Sequence, residues 1–196
     1  VLNTDGRIGD VSGSTGVATI TGLGSQWNNS GWMYVGWFGD GTLNIEAGGL
    51  VTNNGPAFIA RTSASTGAVT VVGASSQWNG VTDLHVGFQG PGTLNVESGG
   101  VVSNTSGYIG FNYIGNSYGS TGETTVTGSG SQWTNSQNLY VGSSGSGTLN
   151  VEAGGVVSNT DGYLGKNSSS TGIATVTGSG SQWNNSGTLH VGNTGS

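Results

Sequence analysis

The phrase Ser-Gln-Trp occurs four times, ending at Trp27, Trp78, Trp133 and Trp183, at intervals of 51, 55 and 50 residues. A longer phrase repeats around each copy. Its clearest form, Gly-Thr-Leu-Asn-Val-Glu-Ala-Gly-Gly-Val-Val-Ser-Asn-Thr-Asp-Gly-Tyr-Leu-Gly, runs from Gly147 to Gly165. A fixed period constrains the fold before any local reading does, because each unit must bury its apolar face on its neighbour. The 196 residues therefore read as one continuous solenoid, and its surface, rather than a single cleft, is the first place to look for function.

The period divides again. Ile8, Val35, Ile59, Val86, Ile109, Val141, Leu164 and Val191 are the middle residues of aligned triplets such as Tyr34-Val35-Gly36, spaced 27, 24, 27, 23, 32, 23 and 27 apart. A column that admits only aliphatic residues points inward. The remaining strands alternate in the same sense: Leu94 and Val96 flank Asn95, and Ala174 and Val176 flank Thr175. Such alternation, bounded by Gly, Asn and Ser, marks half-buried strands. No stretch sustains a helical period, and 41 glycines would burden any helix. The expectation is an all-β parallel β-helix of about eight coils of 23–27 residues, three short strands per coil, stacked into a rod on the order of 40 Å long.

Only 6% of residues are charged, against ~25% in typical globular chains. Ser, Thr, Asn and Gln supply solubility instead. The net charge is −6, with Arg7, Arg61 and Lys166 the only cations besides the chain terminus. Nucleic acid and anionic membranes, which need clustered Lys or Arg, are poor partners. There is no cysteine, and no apolar run is long enough to insert in a membrane as a helix. The chain opens and stops in mid-phrase, which reads as a segment of a longer repeat protein.

The residue before each inward aliphatic points outward by alternation. That column reads Arg7, Tyr34, Phe58, His85, Tyr108, Tyr140, Tyr163, His190. It is either a stripe on which sugar rings or a partner's side chains stack, or a ladder stacking on itself. Just after the following Gly or Ala, four successive coils carry Trp37, Arg61, Phe88 and Phe111. Phe111 also opens an insertion: 12 residues separate Gly110 from Gly122 where 7 separate Gly165 from Gly172. The candidate binding residues are thus Tyr34, Trp37, Arg61, His85, Phe88, Tyr108, Phe111, Tyr113 and Tyr118. The competing reading folds these aromatics over an imperfect stretch of core. The four repeat tryptophans are expected to cover a corner of each double coil, and Asn53, Asn104 and Asn159 to form ladders that satisfy turn backbone.

Catalysis is not expected. Glu46, Glu97 and Glu152 share one outward position in alternate coils, too sparse for a calcium cage or a glycosidase pair. The two histidines, His85 and His190, lie four coils apart, and no nucleophile elbow occurs. No metal and no cofactor is implied.

The phrases Thr-Val-Thr-Gly-Ser-Gly-Ser-Gln-Trp (175–183), Leu-Tyr-Val-Gly (139–142), Gly-Thr-Leu-Asn-Val-Glu-Ala-Gly-Gly (147–155) and Ser-Gly-Tyr-Ile-Gly (106–110) resemble the repeats in passenger regions of bacterial autotransporters. The resemblance covers essentially the whole chain. It implies a right-handed β-helix displayed at the cell surface, acting as a stalk and an adhesive or self-associating surface. The partner it implies is a surface glycan, a protein on a host or neighbouring cell, or another copy. Two alternatives remain: a carbohydrate-binding or carbohydrate-active β-helix of the lyase or tailspike kind, and an ice-binding solenoid. The latter is suggested by Thr19/Thr21, Thr125/Thr127 and Thr175/Thr177 but is interrupted in alternate coils.

Overall fold

A computed structural model describes residues 1–111 and 119–192. Every hydrogen-bonded strand pair in it is parallel and joins one coil to the next, in three sheets of eight, eight and seven strands. Seven complete three-strand turns are followed by two strands of an eighth. The expected β-solenoid is therefore the fold, with the third sheet one strand short of the predicted eight coils.

The first sheet holds the Ser-Gln-Trp strands and is called here the tryptophan sheet. The second carries the Tyr-Val-Gly triplets on three-residue strands and is the ladder sheet. The third, with strands of six or seven residues such as Thr15–Thr21 and Ser146–Glu152, is the long sheet. Inward residues of all three meet in one core. In the long sheet Leu43, Ile45, Val69, Val71, Leu94, Val96, Leu149 and Val151 are buried while the residues between them face out. In the ladder sheet Ile8 to Val141 form the expected buried column, each in register with the next. Leu164 packs partly on the core, and Val191, in the last described strand, is 72% exposed.

The glycine ending each triplet turns the chain out of the ladder sheet with a left-handed backbone. At Gly142 φ is +71°, and an added Cβ would run into the backbone of Thr171 in the next coil. That is why the motif reads Tyr-Val-Gly so consistently.

The tryptophans overturn the corner-covering expectation. They point into the core and alternate with valines of adjacent coils in the order Trp27, Val51, Trp78, Val102, Trp133, Val157, Trp183, so that Trp78 and Trp133 each lie between two valines. Trp78 and Trp133 are completely enclosed. Opposite, on the ladder sheet, runs a column that alternates in step: Gly6, Met33, Ala57, Leu84, Gly107, Leu139, Gly162, Leu189. A coil with Trp carries Met or Leu; a coil with Val carries Gly or Ala. The small residue leaves room for the neighbouring indole. A Cβ on Gly107 would lie 2.7 Å from Trp133 Cζ2 and 2.8 Å from Leu139 Cδ1. This alternation of bulky and slender coils is the physical origin of the roughly fifty-residue period, since interiors pack to near-crystalline density.

Inside the tryptophan sheet each indole also needs a hydrogen-bond acceptor. Trp27, Trp78, Trp133 and Trp183 donate to Oδ1 of Asn3, Asn53, Asn104 and Asn159 in the preceding coil, at 2.6, 2.9, 2.7 and 2.7 Å. Asn104 Nδ2 in turn donates to Asn135 Oδ1 at 2.7 Å, and Asn159 Nδ2 to Asn185 Oδ1 at 2.6 Å. The asparagines thus serve buried side chains as well as turns. Asn53 does donate to a turn carbonyl, that of Gly55.

Candidate functional site

Three-residue strands place the second column of the ladder sheet outward at one residue per coil. From Phe58 onward the rings stack face to face through His85, Tyr108, Tyr140, Tyr163 and His190, with centroids 4.7–4.8 Å apart and planes within 16°. Tyr34 joins at 5.5 Å from Phe58. That spacing is the rise between strands, so the backbone itself dictates the stack.

The residues after the turn then fold back over this ladder. Trp37 lies 4.1 Å from the Tyr34 ring, and Phe88 meets both Phe58 and His85 edge-on at 4.9 and 5.2 Å. Phe111 reaches His85, Phe88 and Tyr108 at 5.2–5.3 Å. All three cationic side chains sit on the same stripe: Arg7 over Trp37 at 4.0 Å, Arg61 over Phe88 at 4.6 Å, and Lys166 over Tyr140 at 4.2 Å. Each gains a cation–π contact. Tyr34, Phe58 and Phe88 become a second small core outside the barrel, packed by Trp37 and Phe111.

This layering decides which candidate residues retain surface. Tyr34 is 4% exposed, His85 9% and Phe88 2%. Trp37, Arg61, Tyr108 and Phe111 are half-buried. Tyr113 and Tyr118, with the rest of the insertion after Phe111, lie outside the described residues. The structure thus brings seven of the nine candidates together, three of them sealed beneath the others. Burial, and secondarily the charge of Arg61, push the His85 imidazole down to about 3, so the ring stacks as a neutral aromatic. Burial and then the Asp83 charge push the Tyr108 hydroxyl up to about 12.

The carboxylates stay apart. Glu46, Glu97 and Glu152 occupy one outward column of the long sheet, separated in register by Val72 and Thr127. Among the described residues no group of three potential ligands could hold a metal ion. The Thr-x-Thr pairs face outward on the same sheet, and Asn44/Glu46, Asn95/Glu97 and Asn150/Glu152 take their places in alternate strands. Two exposed aromatics outside the candidate set are Trp32 and Phe38, at 43% and 48% exposure. Neither belongs to a repeated column, and that departure from the repeat is the signal by which they could have been found.

Fold and surface together define a parallel β-solenoid repeat protein. No family model matches the chain, and no solved structure matches it. Among curated proteins it is similar to the adhesin BmaC autotransporter of Brucella suis biovar 1 (strain 1330), 30% identical over 135 residues. That stretch is 67% of this chain and 4% of the relative. It is also similar to the uncharacterized lipoprotein YdeK of Escherichia coli (strain K12), 37% identical over 100 residues, 48% of this chain and 7% of that protein. The chain therefore spans less than a tenth of either relative.

Proposed function

We propose that this solenoid is a structural and adhesive segment of an exported bacterial surface protein. It holds its outer faces away from the cell for contact with a glycan, a protein or another copy, and does no chemistry itself. The observation that carries this reading is the unbroken register of all three sheets along the described rod, with outward columns that are sparse in charge and free of converging acid–base groups. The similarity to an autotransporter adhesin supports the same role and an envelope or surface location. Within it the aromatic stripe reinforces the rod, and its half-buried members Trp37, Arg61, Tyr108 and Phe111 are the part available for contact.

The test is direct. Beads coated with the purified chain are presented to epithelial cells and to bacteria displaying the same chain. Adherence above that of beads coated with an unrelated β-solenoid is expected in at least one arrangement. Absence of adherence in both, or release of sugar from a polysaccharide panel, would overturn the proposal.

A further inference from the structure

The corner where the tryptophan sheet turns into the ladder sheet is concave in the first three coils. A cleft of about 420 Å³ opens there, lined chiefly by Thr4, Asn28, Ser30, Thr52 and Asn54, with Leu2 at one end. It is shallow and broadly open to solvent, a surface that an extended ligand would lie along rather than enter. Every lining side chain is uncharged, and all but Leu2 offer a hydroxyl or an amide. Thr52 Oγ1 donates to Asn28 Oδ1 at 3.0 Å, and Asn28 Nδ2 to Gln26 Oε1 at 3.3 Å, so the amide is held in a fixed orientation.

Trp32 does not line this cleft but sits next to residues that do. It follows Ser30 by two residues, and its indole lies directly over Gly55, the residue after Asn54, where a Cβ would collide with it. The Gly55 amide donates to the Gly31 carbonyl at 2.7 Å, which fixes the two corners against each other. Tilted contacts with the Tyr34 and Phe58 rings, both at 5.8 Å, hold the indole on the ladder-sheet side, and 43% of the residue stays exposed. The four core indoles each donate to an asparagine; that of Trp32 has no such partner among the described residues. In the other coils the place of Trp32 is taken by Asp5, Pro56, Asp83, Ser106, Asn138, Asp161 and Thr188. The one aromatic in that column therefore stands beside the cleft.

We infer that this corner binds an uncharged oligosaccharide. An aromatic face with a free N–H, next to an array of neutral amides and hydroxyls, presents what a sugar ring requires: apolar area for its C–H face and paired donors and acceptors for its hydroxyls. A charged ligand finds no counter-charge in the lining, and the net charge of −6 opposes acidic glycans. This inference rests on the adhesive reading and names its ligand class.

The intact 196-residue chain is applied to an array of short neutral oligosaccharides alongside sialylated and uronate-containing ones, and hits are titrated by tryptophan fluorescence. Retention of neutral members is expected. Trp32→Ala should weaken binding by roughly tenfold, the size of one aromatic contact. Ser30→Arg, an exposed position that touches no core, should do the same by filling the cleft, and Glu123→Gln on the long sheet should not. An array with no neutral hits, or hits that survive both Trp32→Ala and Ser30→Arg, overturns the inference. If cells still adhere while the neutral array stays empty, the adhesive reading stands and this one falls.

Discussion

The indole N–H of Trp133 donates to Oδ1 of Asn104 across 29 residues of sequence and one coil of structure, at 2.7 Å inside the core. Four such pairs recur along the rod, so the largest apolar side chains are also polar anchors that set one coil against the next. Asn104→Ala strands a buried N–H and removes the donor to Asn135. A loss of about 1–3 kcal/mol is expected, read as a lower thermal midpoint. The double change Asn104→Leu with Trp133→Phe should recover part of it, and a double variant no better than Asn104→Ala would refute the pairing.

Gly107 and Gly80 are both strand glycines, and the structure assigns them opposite responses. Gly107→Ala drives a methyl into Trp133 and Leu139, so a cost of about 1–3 kcal/mol is expected. At Gly80, where sister coils carry Asn29, Asn135 and Asn185, a Cβ would find its nearest neighbours at 3.4–3.6 Å, ordinary contact. Gly80→Asn should extend the asparagine series by accepting from Asn53 Nδ2, and should stabilise by about 0.5–1 kcal/mol, the usual cost of a strand glycine. Equal effects at the two sites in calorimetry would contradict this packing.

Val86 lies in the inward column of the ladder sheet with no exposed surface. Val86→Asp buries a charge without a partner. Several kcal/mol of destabilisation and loss of the cooperative melt near mid-rod are expected. A midpoint within a few degrees of the parent would show that the column is not sealed.

His85 makes stability depend on pH. In an unfolded chain a histidine protonates near 6.5; folded, this one resists until about 3. Between those values the unfolded state binds a proton that the folded state refuses, so the His85 contribution is full above pH 6.5 and declines as pH falls. At pH 5 the loss is roughly 2 kcal/mol. His85→Phe, which copies the ring at Phe58, should flatten the midpoint between pH 7 and 5 relative to the parent. Asp83, raised by burial, acts in the opposite direction in both proteins and cancels from their difference. Parallel pH curves for the two would refute the assignment.

Much of the architecture was legible because alternation is strict where both neighbours are alike. Ile59, Val86 and Ile109 are aliphatic in consecutive coils, and their column could be read without a structure. The tryptophans were not legible in that way. Trp78 pairs with Val51 and Val102, so its column changes size at every step and resembles no column at all. Asn104 misled for a second reason: an inward asparagine looks like a turn residue until its acceptor role for an indole 29 residues away is seen. In the candidate site, alternation correctly put Tyr34 and His85 outside the barrel. It carries no information on how the chain after Gly87 folds back, and so could not show that Phe88 covers them.

The alternation of bulky and slender coils gives the rod a parity. Excising residues 50–76 removes a single coil and sets Trp27 against Trp78 and Met33 against Leu84, large upon large. Excising residues 50–100 removes a pair and sets Trp27 against Val102, as in the intact protein. The longer deletion should therefore fold and the shorter one should not, which circular dichroism and limited proteolysis would distinguish. A gene of this kind can change the reach of its product only in even-numbered increments, each about 10 Å, much as a chain of alternating links closes only on a whole pair.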